Sequence, residues 1–427
     1  MNTTMVSGVS LEQSLLRLWG ILYGIPLLII AAFSLSFNLL DKKSSYRIDK
    51  ISFYNWLVYC FWMAIAGTLV GFTNHNSYTY MSGDIFKAMV FPLSLYITTK
   101  YFKKYNQYKL FLFITICSLI DLIPEVIDVL IQAISSDGYR RQGTRNELLY
   151  SFFLVSFLAA NKSSSRKTFF CFISILLFFL TIISGSRSAI FLLLVNTFII
   201  VYFTGARKLT STLKPLSISL LLISLVLLGI PQARDKAASF AQLAYGRVSS
   251  TYDPKSQTVD ISTLGRLLEV KYAFAEFMRK SDNPVSFISN ALVGMGGGAE
   301  YKIPPDTIHP RLKNYLEAAG GKSHQIHIGF FSIFFRYGLI GFVLFNFAYI
   351  YTLYKIFKLS NYFVKIKDYC GIVICVSIFT FFISKFINMI SIYSIVGNLT
   401  MGVLLGIIIN YSNNFSILLY ARNTTEN

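Results

Sequence analysis

Ser323-His324-Gln325-Ile326-His327-Ile328 ends a polar segment that began at Gln232, and the chain passes from it directly into an apolar run carrying Gly338 and Gly341. A second apolar run, 215–231, lies immediately before Gln232. Connections between elements usually span about 4–6 residues, so a polar stretch of this length between two spans marks where a function would be housed. Nearly everything around it reads as membrane.

Composition supports that reading. Hydrophobic residues make up 54% of the 427 and charged residues only 14%, against roughly a quarter charged in soluble domains. An ordinary soluble protein is excluded. The net charge of +19 could by itself indicate a nucleic-acid partner. However, the 232–327 segment holds twelve Lys or Arg against nine Asp or Glu and contributes only +3 of it. The remainder sits in short loops between apolar runs, where it signals orientation.

A span needs about 17–25 apolar residues. On that measure helices are expected near 16–40, 52–72, 84–99, 109–133, 147–160, 168–184, 187–204, 215–231, 328–354, 370–385 and 389–410, giving 11–12 transmembrane helices. The first run reads as a retained signal-anchor. Basic loops at 41–50, 100–109, 161–167, 205–214 and 355–369 alternate with loops poor in Lys and Arg, which places 232–327 on the extracytoplasmic side. The 134–146 loop runs against this rule with Arg140, Arg141 and Arg145. The expected fold is therefore all-α: a polytopic membrane helical bundle with one large extracytoplasmic loop containing helices. Its parts are an N-terminal bundle (1–231), a loop or lid (232–327) and C-terminal helices with a short tail (328–427). All five cysteines fall in apolar runs, which implies neither a disulfide framework nor a metal motif.

Several residues could carry chemistry. Ser186-Arg187 starts a helix at the outer boundary, where free backbone N–H groups and a guanidinium together favour a phosphate. Gly265-Arg266 repeats the arrangement, with Thr263 as the expected N-cap of a helix whose Leu267, Val270, Phe274, Phe277 and Met278 share an apolar face. Gly294-Met295-Gly296-Gly297-Gly298 lacks the strand–helix context of a dinucleotide site and reads as a turn bringing backbone close to a ligand. His324 and His327 are spaced to share a helical face, and a neutral imidazole there suits general-base work. Asp121, Glu125 and Asp128 form an acidic stripe, open to readings as an ion path, as counter-charges or as a wet surface.

His327-Ile328 followed by Gly338-Leu339-Ile340-Gly341, together with Ser186-Arg187, Gly265-Arg266 and the Tyr139-Arg140-Arg141-Gln142-Gly143 patch, resembles the O-antigen polymerase and O-antigen ligase superfamily of bacterial envelope enzymes. The likeness covers roughly 130–345. Ile328 stands where that superfamily usually has Asn, Ser or Gln after the histidine. His324 therefore stays open as the operative base, although the spacing to Gly338 favours His327.

The resemblance implies an inverting glycosyl transfer, without metal or cofactor, at the periplasmic face of the inner membrane. The donor would be an oligosaccharide on undecaprenyl diphosphate. Arg187 and Arg266 would hold the diphosphate and His327 would take the acceptor proton, with Ser186, Arg140, Arg141 and His324 as further substrate contacts. An O-antigen polymerase is the leading expectation. A ligase to lipid A core and, from another class, a lipid-glycan flippase or transporter stand as alternatives. Expected partners are the lipid-linked glycan, membrane lipid and a chain-length regulator protein, with no nucleic acid.

Overall fold

The computed structural model describes residues 47–134, 147–160, 164–183, 187–205, 261–281, 283–303, 321–324, 326–387 and 395–425. The expected runs at 16–40 and 215–231, Arg140, Arg141 and Ser186 lie outside the described residues. The described residues form eleven helices and one two-stranded ladder. In chain order the first helices are α1 (Arg47–Thr73), α2 (Tyr78–Tyr101), α3 (Gln107–Ile134), α4 (Glu147–Ala159), α5 (Ser164–Ile183) and α6 (Arg187–Thr204). Next come α7 (Ile261–Arg279), α8 (Pro284–Val293), β1 (Tyr301–Lys302) and β2 (Lys322–Ser323), then α9 (Gly329–Ile366), α10 (Tyr369–Ile387) and α11 (Ile395–Thr425). Five of them, α1, α3, α9, α10 and α11, are long and apolar enough to cross a membrane. The chain is a polytopic helical membrane protein.

It divides into two compact units, Met1–Phe102 with Ile261–Thr352 and Met389–Gly406, and Lys103–Asp260 with Leu353–Asn388 and Ile407–Asn427. In the first unit, an aromatic cluster joins α1, α2 and α9. Trp56 packs against Tyr59, Phe91, Phe345 and Tyr349, and its indole N–H donates to Thr352 Oγ1 at 3.0 Å. Ring edges meeting ring faces add about 0.5–1.5 kcal/mol per pair beyond area burial. α11 approaches α2 through Gly402 and Gly406, where a Cβ would meet Ser94 and Thr98. This small-residue spacing lets helix backbones touch in an apolar solvent that gives no hydrophobic drive.

In the second unit α4 is enclosed. Leu148 through Leu158 are all buried, with α5, α6 and α10 packed around them. A helix apolar on every side belongs inside a bundle. Two of its polar groups pair with α10: Ser151 with Thr380 at 2.5 Å, and Glu147 with Lys385 at 3.3 Å. Asn196 and Ser384 bond each other in the same way.

Two expectations are corrected. The span expected at 328–354 is broken at Gly338 (φ 66°, ψ −170°), and the helix then continues to Ile366. Lys355, Lys358 and Lys365 thus lie on the helix, not in a loop. α7 begins at Ile261, so Thr263 is inside it and not its cap.

Candidate active site

The polar segment is held to the first unit by backbone approach at glycines. The 294–298 stretch inserts between α1 and the Gly338 break. Met295 N–H donates to Phe335 O at 2.8 Å, Gly296 N–H to Arg336 O at 2.9 Å and Gly297 N–H to Gly67 O at 2.8 Å. Asn74 and Asn76 amides donate to Met295 O, and Asn76 also to Gly297 O. A Cβ on Gly296 would lie 2.3 Å from Gly71 N, and one on Gly338 2.2 Å from Leu292 O. Both residues have positive φ, which L side chains strongly disfavour. The expected close approach is therefore real, but it is to protein backbone and not to a ligand. Apolar surroundings leave these amides no water, so they must bond to each other.

The chain leaves this plug through β1, which pairs antiparallel with β2 in the register Tyr301↔Ser323 and Lys302↔Lys322. α7 packs onto the ladder. Tyr272, Ala273 and Phe277 are buried with Met295, Ala299, Tyr301, Ile303, Ile326 and Phe335, and Leu268 lies at their edge. The buried face is therefore Leu268–Tyr272–Ala273–Phe277. Of the face expected from the sequence, Phe274 and Met278 are exposed at 49% and 45%. The rotation arises because α7 packs against the ladder, whose position no local pattern specifies.

β2 delivers two histidines to different environments. They precede α9 outside any helix and do not share a helical face. His324 is enclosed, with its Nε2 3.2 Å from Asp84 Oδ1 and its Nδ1 3.2 Å from Ala299 O. Tyr80 stacks on the ring at 4.4 Å and 6°. Asp84 also accepts the Gly298 N–H at 3.1 Å and pairs with Arg336. Arg336 donates to Ser332 Oγ at 2.7 Å and to the His324 carbonyl. Burial and the Arg336 guanidinium push the His324 imidazole below its ordinary range, while Asp84 pulls the other way. The arrangement acts as a knot tying α2, the ladder and α9 together.

His327 faces outward. Its side chain is 42% exposed, and Nδ1 lies 2.6 Å from Glu269 Oε1. Its backbone N–H donates to Glu269 Oε2 at 2.9 Å. The bond to Glu269 holds the imidazole above its ordinary range, with the nearby Arg266 guanidinium acting in the opposite sense. Arg266 is exposed one turn before Glu269 on α7. The structure thus brings Arg266 and His327 together through Glu269. Arg187 is the first residue of α6.

Residues 172–346 match the family model described as O-antigen ligase. Over this stretch the chain is similar to the O-antigen ligase family. The match runs from α5 into α9 and contains Arg187, Arg266, Glu269, His324, His327 and Arg336. It supports membership of the superfamily of O-antigen ligases and polymerases, which act in glycan assembly. No curated protein matches the chain significantly.

Sequence reading overlooked Glu269, Asp84 and Arg336. A signal existed for Glu269, because it follows Arg266 by three residues and so lies on the same side of α7. Arg336 within an apolar run was a further signal, since a cation there needs a partner. Asp84 gave none, because it stands at the edge of an apolar run where an acid is unremarkable.

Proposed function

We propose that this protein is an O-antigen polymerase, moving a growing glycan from undecaprenyl diphosphate onto the next lipid-linked repeat unit at the periplasmic face of the inner membrane. The observation that carries this reading is the exposed Arg266 beside a half-buried His327, in a loop between membrane helices and within the segment matching the O-antigen ligase family. The acceptor sugar hydroxyl attacks the donor's anomeric carbon as its bond to the diphosphate oxygen breaks. The hydroxyl proton passes to His327 Nε2, and undecaprenyl diphosphate leaves with the electron pair. Attack opposite the leaving group inverts the anomeric centre. Arg266 stabilises charge growing on the diphosphate. Arg187 is assigned a like role from the family resemblance. The protein's own residues suffice for this chemistry, so no cofactor enters the proposal.

The family description favours a second reading, a ligase passing the finished glycan to lipid A core. Ile328 after His327, where the superfamily usually has a polar residue, weakens the ligase reading. Gene deletion and complementation separate the two. A polymerase null leaves core bearing a single repeat unit, whereas a ligase null leaves bare core and long lipid-linked chains. Lipid-linked units stranded on the cytoplasmic face would replace both with a flippase. Full complementation by both Arg187→Ala and His327→Ala would remove the mechanism.

A further inference from the structure

We infer that Glu269 is the positioning residue of this site: its carboxylate fixes the proton of His327 on Nδ1 and turns Nε2 outward as the base. The inference rests on the transferase reading above and adds the residue that makes His327 competent.

The geometry is a two-point clamp. One oxygen lies 2.6 Å from the His327 ring nitrogen Nδ1, and the other accepts the His327 backbone N–H at 2.9 Å. An ionised carboxylate only accepts, so Nδ1 must carry a hydrogen. In the neutral ring the lone pair then resides on Nε2, for which no partner occurs among the described residues. Holding both the ring and its own backbone amide leaves the imidazole little freedom to turn. The anchor is more shielded than the ring it holds, at 18% exposure against 42%. Shielding strengthens a charge-assisted bond, and the exposed ring edge is left to meet an acceptor.

Glu269 is itself fixed by the packing of α7 through Leu268, Tyr272, Ala273 and Phe277. Arg266 lies one turn earlier, so a single helix carries both the cation assigned to the donor diphosphate and the anchor of the base. Glu269 and Arg266 are the charged groups acting on the His327 ring among the described residues, in opposite directions. A diphosphate bound at Arg266 cancels the guanidinium's effect, so the imidazole becomes more basic when donor is in place. Proton acceptance is thereby coupled to donor occupancy.

The test uses full-length protein in nanodiscs. The chain has only four histidines, so ¹⁵N-histidine spectra can be assigned with a His327→Asn variant. The expected result is a neutral His327 protonated at Nδ1, titrating above an ordinary imidazole. Glu269→Gln should lower that titration and lose the tautomer preference, and Glu269→Asp should restore part of both. With lipid-linked donor and acceptor, Glu269→Gln should reduce kcat by about 10²–10⁴-fold, as for loss of a general base or its correct tautomer. Donor KM should stay within about threefold, because the residue acts on the base and not on binding. If the His327 titration and tautomer are the same in wild type and Glu269→Gln, the inference is overturned, whatever the activity. If they shift but no glycan is transferred from the lipid donor by wild type, the clamp stands and the transferase reading falls. A Glu269→Gln enzyme with wild-type kcat and an altered titration overturns the positioning role.

Discussion

Arg336 Nε lies 3.4 Å from Asp84 Oδ2, with side chains only 3% and 1% exposed. One residue comes from the short helical piece before the Gly338 break and the other from α2, and both also contact His324, Arg336 at its carbonyl and Asp84 at its ring. Each charge is buried on the strength of the other. Removing one partner leaves the second charged in an apolar setting, a loss of about 3–5 kcal/mol. Asp84→Asn and Arg336→Met should each sharply lower the yield and melting temperature of detergent-solubilised protein. The double variant should recover much of the loss. A wild-type melting curve for either single variant would show that the pair carries no stability.

The pH dependence follows from the opposite effects of Glu269 and Arg266. Because the folded His327 titrates above its ordinary value, the ion pair stabilises fully below that ordinary value and its contribution fades as pH rises through the raised one. In the proposed mechanism activity needs the neutral imidazole, so the acid limb of the rate profile should lie above that of an unperturbed histidine. Glu269→Gln should move the limb down and Arg266→Ala should move it up. The limb for kcat should also lie above that for kcat/KM, since donor masks the Arg266 charge.

Backbone strain at the plug gives a third prediction. Gly338→Ala and Gly296→Ala place a Cβ within 2.2 and 2.3 Å of neighbouring backbone, at positive φ. Conformation alone costs about 1–3 kcal/mol, and the clash adds to it. Both variants should lose most folded protein on size-exclusion chromatography. Gly83→Ala is the control, because a Cβ there meets nothing within 4 Å, and it should be neutral or stabilise by up to about 1 kcal/mol.

Arg266 is assigned to a diphosphate, which a planar guanidinium holds with two parallel bonds and an ammonium does not. Arg266→Lys should therefore lose activity despite keeping its charge, with kcat falling by about 10²–10³-fold for a lost transition-state donor. Turnover of radiolabelled lipid-linked oligosaccharide measures it. Retention of more than half the wild-type rate in Arg266→Lys would rule out bidentate recognition.

The membrane architecture was legible because it depends on composition over windows of about 20 residues. Most described helices fall within a few residues of their apolar runs. The exceptions show what such windows omit. Gly338 sits in an unbroken apolar run, yet Leu292 and Gly294 press backbone against it and the helix breaks there. The expected face of α7 had apolar spacing, yet the ladder packs on Tyr272 and Ala273 instead.

The two histidines and the two glycine clusters show the same division. The sequence by itself determined that the chain is a polytopic helical membrane protein, because hydropathy and charge are local properties. Only the tertiary structure decided that His324 is buried against Asp84 and Arg336 while His327 is presented by Glu269. Asp84 and Glu269 come from helices remote in the chain, and a side chain's protonation and direction are set by whatever charge the fold places beside it.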